Sequence, residues 1–155
     1  MARYAEGTSV STDASRSEIE RTLTRYGADM FGYMTEQGRA VIGFRIEGRQ
    51  IRFLLPLPSR TEREFTHHSK GPRTVEAALK AWEQACRQRW RALALVIKAK
   101  LEAVAAGITT IEDEFLAHTV LPDGSTVGDW ARPQLSIAYE RGQMPTSLML
   151  TGPEA

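Results

Sequence analysis

Two short segments with large apolar residues at every second position constrain this chain more than any other feature. Residues 40–46 and 50–55 both have the period of a half-buried β-strand, and Glu47-Gly48-Arg49 between them predicts a tight turn. Residues 30–35, followed by the turn signal Gln37-Gly38, predict a third strand. The sequence therefore predicts a three-stranded antiparallel meander with one apolar face, which helices must cover.

A short helix is predicted before the meander. Ser15 and Glu18 match a capping box, and apolar residues recur after them at helical spacing until Gly27 ends the pattern. Residues 8–11, upstream of this helix, have the composition of a brief edge strand. We therefore expect a helix of about three turns on the apolar face of the sheet.

A much longer helix is predicted after the meander, from Thr74 to about residue 106. At ~1.5 Å per residue it would span roughly 48 Å. Residues 92–97 are apolar on every side, which indicates a middle that is buried all round, contacts a second copy of the chain, or both. Residues 59–73, between sheet and helix, are polar and rich in breakers and predict an exposed loop.

The last third of the chain predicts short helical elements around a turn. Thr110 can cap a short acidic helix, and residues 120–127 suggest a small hairpin around Pro-Asp-Gly. Thr126 and Asp129 form an N-cap pair that opens a final helix, which Pro133 should kink or delay. The predicted fold class is α+β: the meander packed on a short N-terminal helix and a long central helix, with a C-terminal helical and hairpin segment. Residues 1–142 form one domain, and residues 143–155 form a loose tail.

The charge is unevenly distributed along the chain, although the net charge is only +1. Residues 39–100 contain 14 basic and 5 acidic side chains, whereas residues 101–155 contain 2 basic and 8 acidic ones. A strongly basic segment favours a polyanionic partner. The alternative is that the acidic third folds back and neutralises it.

The basic segment also supplies the candidate binding residues. Arg87, Arg91 and Lys98 share one stripe of the long helix, and the others lie on the open sheet face and in the loop before that helix. Tyr33, Trp82 and Trp90 offer stacking surfaces for unpaired bases, although a core role fits the two tryptophans better. The predicted contacts to backbone phosphates are Arg45, Arg52, Lys70, Arg73, Arg87, Arg91 and Lys98.

No catalytic, cofactor or metal motif is apparent in the sequence. Cys86, the single cysteine, lies on the apolar side of the long helix and fits a buried, inert thiol in a reducing compartment. His67-His68 lacks a third ligand at useful spacing, and Glu114 and His118 fit a local helix ion pair better than a zinc site. We therefore expect a cytoplasmic protein that is not an enzyme, has no cofactor and does not associate with membranes.

Several runs of residues carry a resemblance, and together they cover most of the chain: residues 9–27, 39–45, 81–93, 97–104, 115–118 and 121–124. They resemble a family of small uncharacterised proteins from phages and prophages, which implies a mobile-element context but no assigned site. The order helix, meander, helix is similar to double-stranded-RNA-binding domains and to the core of phage single-strand annealing proteins. Lys70 and Arg73, just before the second helix, match the pattern of the double-stranded-RNA-binding domains. The long loop and the long second helix depart from that pattern.

Three functions remain open from the sequence. The leading one is a nucleic-acid-binding protein that holds single strands in phage DNA recombination or replication. The alternative is an anti-defence inhibitor or adaptor that binds a host protein through the acidic surface of residues 112–129. A structural phage component is the third, and self-association into a homo-oligomer is compatible with all of them.

Overall fold

The computed structural model describes residues 5–144. A helix, a three-stranded sheet and a long helix follow each other as predicted, and the fold class is α+β. The elements are α1 (Thr12–Arg25), β1 (Met30–Glu36), β2 (Arg39–Ile46), β3 (Arg49–Pro56), α2 (Arg63–Thr66), β4 (His67–His68), β5 (Gly71–Pro72), α3 (Val75–Ala105), α4 (Ile111–Glu114), a 3₁₀ turn (Leu116–His118) and α5 (Val127–Arg141).

The sheet is the predicted meander, in the order β1-β2-β3 with antiparallel pairing throughout. Ile46 pairs with Arg49, so the turn has two residues, and both Glu47 (φ 50°) and Gly48 (φ 74°) are left-handed, as a primed hairpin turn requires. The alternating residues predicted to face inward are all buried: Ile42, Phe44, Ile46, Ile51, Phe53 and Leu55.

Helices α1 and α3 run parallel to each other, side by side, over this apolar face. Their contacts advance in the same direction along both helices: Gln84 donates to the carbonyl of Thr8, Arg91 pairs with Glu18, and Tyr26 donates to Glu102, at sequence separations of 76, 73 and 76. The core between helices and sheet includes, from the helices, Ile19, Leu23, Trp90, Leu93, Ile97 and Leu101.

The start of α1 differs from the prediction. The N-cap is Ser11, whose hydroxyl accepts a hydrogen bond from the Ala14 amide (3.1 Å), so the helix begins one turn earlier than the Ser15–Glu18 pattern indicated. Ser15 is instead fully buried within α1, and Glu18 pairs with Arg91 of α3. Residues 8–11 are not a strand either, because this segment leads directly into the cap.

Two further expectations are corrected. The middle of α3 is not buried all round, because Ala92 and Val96 are exposed, the latter at 44%, while Leu93 and Ile97 are buried against the sheet. Residues 59–73 are not a structureless loop: they contain α2 and the β4–β5 hairpin, anchored by the buried side chain of Phe65. Self-association through the apolar middle of α3 stays a prediction.

The last third follows the predicted order closely. Thr110 caps α4, and Thr126 and Asp129 form a complete capping box at the start of α5. The predicted hairpin is reduced to a single bridge between Val120 and Thr126. Pro133 lies inside α5 without ending it. The side-chain amide Nε2 of the next residue, Gln134, donates to the Trp130 carbonyl (3.1 Å). Most of the predicted tail lies outside the described residues.

The two serines of α1 give a direct test of where the helix starts. Ser11→Ala removes the cap and should destabilise the protein by about 1 kcal/mol. Ser15→Ala removes a buried hydroxyl that has no hydrogen-bond partner among the described residues, so stability should stay equal or rise. Urea denaturation of both variants measures their free energies of unfolding. A larger loss of stability for Ser15→Ala than for Ser11→Ala would contradict the assigned helix start.

His118 makes the stability of this fold depend on pH. Its ring stacks on Phe53 (3.9 Å between centroids), and burial, aided by nearby Lys100, lowers the pKa of His118 in the folded protein. The unfolded chain therefore takes up the proton first as the pH falls below about 6.5, and stability is lost there. His118→Phe keeps the stack without titrating, so its melting temperature should fall less than that of the wild type between about pH 7.5 and 5.5. Equal losses in both proteins would contradict this role.

Candidate nucleic-acid interface

The acidic third neutralises little of the basic segment. Among residues 5–144, five of the fourteen basic residues in 39–100 form ion pairs with carboxylates, and two of these, Arg49 (with Glu112) and Lys100 (with Glu114), pair with the last third. The other three pairs are Arg39–Glu36, Arg45–Asp29 and Arg91–Glu18. The alternative that the acidic third neutralises the Arg87–Arg91–Lys98 stripe is not supported within residues 5–144, because Arg91 pairs with Glu18 on α1 instead.

The remaining nine cations have no carboxylate partner within residues 5–144: Arg52, Arg60, Arg63, Lys70, Arg73, Lys80, Arg87, Arg89 and Lys98. Their charge is therefore available to solvent or to an anionic ligand. Unpaired surface cations are the groups that release counterions when a polyanion binds.

The seven predicted contact residues do not form one surface. Arg45 and Arg52 lie on the open face of the sheet, opposite the helices, and Arg45 is held by two hydrogen bonds to Asp29 (2.8 and 3.0 Å). This pairing lowers the pKa of the Asp29 carboxyl. Lys70 is exposed in the β4–β5 turn, and Arg73 donates to the Phe65 carbonyl (3.4 Å) just before α3. Arg87, Arg91 and Lys98 lie along α3 beside α1.

A row of cations follows the line where α1 meets α3, and we call it the cationic seam: Arg21, Arg25, Arg91 and Lys98. Arg21, Arg25 and Lys98 surround a shallow groove next to Glu18, the partner of Arg91. Arg87 continues the row on α3, and the distance from Arg87 to Lys98 along the helix is about 16 Å. Because α1 and α3 lie parallel and side by side, basic residues from both helices border the same line.

At the N-terminal end of this seam lies a cleft of about 800 Å³, which we call the arginine cleft because Arg16, Arg60 and Arg87 line it. Its walls are the start of α1, the β1–β2 turn, residues 57–61 and one face of α3. The volume lies within the range of about 300–1,000 Å³ that is typical of small-molecule sites. The α3 wall consists of Trp82, Glu83, Cys86, Arg87 and Trp90.

Two hydrogen bonds to backbone carbonyls position the 57–61 segment across the cleft. The Leu57 amide donates to the Gly38 carbonyl in the β1–β2 turn (2.9 Å), and the Trp82 indole donates to the Pro58 carbonyl (2.7 Å). Pro56, at the end of β3, and Pro58, in this segment, both lack an amide donor, so β3 pairing ends at Pro56 and the chain is free to cross toward α3. The segment thereby places Arg60 over Trp82.

The three guanidinium groups are held mainly by aromatic rings and a neutral amide. Arg60 lies 4.2 Å from the centroid of Trp82, and Arg87 donates through Nε to Gln84 Oε1 (3.0 Å). Arg16 lies 4.6 Å from the Tyr33 centroid and 5.2 Å from that of Trp90, and it also pairs with the exposed Asp13. Stacking occupies the flat face of a guanidinium and leaves its in-plane N–H donors free.

The other predicted chemical groups fall outside the interface or pack inside the fold. Trp90, at 2% exposed, is a core residue, whereas Tyr33 is half exposed beside the cleft. Glu114 and His118 do not pair with each other, because Glu114 binds Lys100 and His118 stacks on Phe53. No group of three or more residues suitable for a metal occurs within the described part of the chain.

Four residues of this interface were missed from the sequence: Arg16, Arg21, Arg25 and Arg60. The three on α1 belong to residues 1–38, which contain 4 basic and 6 acidic side chains, and the net negative charge of this segment concealed them. Arg60 lies in the polar 59–73 segment. The sequence predicted that this segment is exposed, but it did not predict which residue Arg60 contacts. The aromatic residues Tyr33 and Trp82 were a usable signal, since each lies under one of the missed arginines.

Comparison with protein-family models, with curated proteins and with solved structures gives no match. Among residues 5–144, no helix has both the length and the apolar character that crossing a membrane requires.

Cys86 reports on the wall of the arginine cleft. It is buried, and burial raises the pKa of its thiol, although Arg60 and Arg89 act in the opposite direction. Since the thiolate is the reactive form, alkylation by a maleimide near neutral pH should be at least about tenfold slower in the native protein than in urea. Equal rates in both conditions would show that the thiol is not buried in this wall.

Proposed function

We propose that this protein binds single-stranded nucleic acid along the cationic seam and the arginine cleft, without catalysing a reaction on it. Cations that follow a helix over about 16 Å suit a phosphate backbone, in which charges recur along a strand every few ångströms. Aromatic rings at one end of the seam favour unpaired bases over a duplex, whose bases are already stacked.

The proposal depends mainly on the basic side chains of the seam and the cleft that have no carboxylate partner among the described residues. The acidic third pairs with Arg49 and Lys100, and neither residue belongs to the seam or the cleft. In the seam, the single ion pair within the described residues is Arg91–Glu18, while Arg21, Arg25 and Lys98 have no carboxylate partner there. Glu36 and Glu83 are the acidic residues that line the cleft, and Glu36 is already paired with Arg39.

The alternative of a host-protein inhibitor that acts through the acidic surface has less support. Glu112 and Glu114 are paired with cations, and Asp129 accepts the Thr126 amide (3.2 Å) in the capping box. These carboxylates stabilise the fold itself, so much of the predicted acidic surface is already occupied. A mimic of nucleic acid charge would need its carboxylates free.

The biological setting belongs to the proposal as well. In the phage or prophage context that the resemblance implies, the protein would hold single strands in the cytoplasm during DNA recombination or replication. A homo-oligomer would extend the seam from one copy to the next, which is how many single-strand binding proteins cover long substrates cooperatively.

A matched pair of triple variants tests the proposal. Arg21→Gln/Arg25→Gln/Lys98→Gln neutralises the seam, and Arg52→Gln/Arg63→Gln/Lys70→Gln removes the same charge elsewhere. Binding of a labelled single strand of about 16 nucleotides is followed by fluorescence anisotropy between about 50 and 200 mM salt. The seam variant should bind at least about tenfold more weakly, and the slope of log affinity against log salt should decrease by about 2, since each single-strand phosphate contact contributes about 0.7.

The control variant should keep nearly the wild-type affinity and slope. Equal losses in the two variants would contradict binding at the seam and leave only a general effect of net charge. If the wild type fails to bind any single strand at about 50 mM salt, the proposed function is wrong.

A further inference from the structure

The arginine cleft differs from the rest of the cationic surface because it combines guanidinium donors with an apolar, aromatic wall. Arg21, Arg25 and Lys98 of the seam line a groove of about 390 Å³, whereas the cleft has a volume of about 800 Å³ and includes the buried Cys86 and the half-buried Trp82 in its wall. An apolar pocket with a few convergent polar groups is typical of a site for a discrete ligand.

The donors in this cleft are oriented before a ligand arrives. Arg60 is held over the Trp82 ring, and Arg87 is fixed by Gln84, whose own amide donates to the Thr8 carbonyl (2.8 Å). Neither guanidinium has a carboxylate partner within the described residues, so an anion would not have to displace one. A phosphate group, with several acceptor oxygens, matches guanidinium donors that converge from different walls.

The aromatic wall suits a flat heteroaromatic ring. The hydrogen bond from the Trp82 indole to Pro58 fixes the plane of the ring, and Leu57 and Pro58 contribute apolar surface beside it. Glu83, on the rim, has no ion-pair partner within the described residues and can accept hydrogen bonds from N–H groups of a base. A ligand with a phosphate at one end and a base at the other satisfies both parts of the cleft.

We propose that the arginine cleft holds one unpaired nucleotide, with its base stacked on the Arg60 guanidinium that lies over Trp82 and its phosphate on Arg87 and Arg16. For a nucleotide that is part of a strand, this proposal rests on the proposed function, because a strand bound along the seam would lead into the cleft. The same chemistry is present in a free nucleoside monophosphate, so the experiment includes both sources.

The test compares an intact single strand of adenine nucleotides with a strand of equal length whose sugars lack bases. The wild type should bind the intact strand at least about tenfold more tightly, since stacking of a base on an aromatic side chain and the arginine held over it contributes this much. Arg60→Gln should abolish that preference. Arg63→Gln, three residues further along and exposed outside the cleft, is the matched control and should retain it.

Tryptophan fluorescence provides the second measurement. Binding of the intact strand should quench the emission of the wild type, and Trp82→Phe, which keeps an aromatic ring in the wall, should lose this quenching. Adenosine monophosphate should produce the same quenching at higher concentration, whereas inorganic phosphate should not.

The outcomes separate the two proposals. If intact and abasic strands bind equally, and Arg60→Gln matches the wild type, the nucleotide site is wrong while the salt-dependent binding along the seam still stands. If inorganic phosphate competes as well as adenosine monophosphate, the cleft is an anion site and the assignment of a base is overturned. If no strand binds but adenosine monophosphate does, and Arg60→Gln removes that binding, the cleft is supported and the proposed function is not.

Discussion

The packing of two parallel helices on one face of a small sheet determines the rest of this structure. Phe44 and Phe53 of the sheet contact Phe115 from the last third at 5.6 and 6.2 Å between ring centroids, so one aromatic cluster joins both ends of the fold. Ile97 and Leu101 of α3 are fully buried against it. Once these residues fix the rotation of α3, its stripe of basic residues must lie along α1.

This arrangement explains why the cations stay available although the protein is nearly neutral. Helix α1 contributes Arg21 and Arg25 to the same line that α3 occupies. Glu112 and Glu114 of the last third pair with Arg49 and Lys100, away from this line, whereas Glu102 lies beside α1 and accepts the Tyr26 hydroxyl. Three of the four seam cations therefore have no carboxylate partner within residues 5–144, and this is a consequence of topology.

Much of the fold was predictable because its signals are local. Alternation defined β2 and β3, and Thr110 and Thr126 cap helices as predicted, since an N-cap depends on residues three apart. Thr74, predicted as the start of the long helix, is its N-cap. The start of α1 was mispredicted for the same reason: Ser15 and Glu18 fit the local pattern, and only the tertiary fold buries the serine and pairs the glutamate.

The candidate site was harder to predict because its contacts join distant residues. Arg91 and Glu18 are 73 positions apart, and Arg60 reaches Trp82 only because β3 ends at Pro56 and the chain crosses to α3. Which cations remain unpaired is therefore a property of the folded chain. The sequence indicated the basic segment and its aromatic residues correctly, but it could not group them into one seam and one cleft.

The most direct test of the account is a map of the binding surface by ¹H–¹⁵N NMR as a single-stranded oligonucleotide is added at low salt. The account predicts that the largest shifts fall on the Trp82 indole N–H and on amides of α1 and α3 that border the seam, from Arg16 to Arg25 and from Trp82 to Lys98. Shifts confined to the open sheet face or to residues 110–129, or no shifts at all, would contradict it.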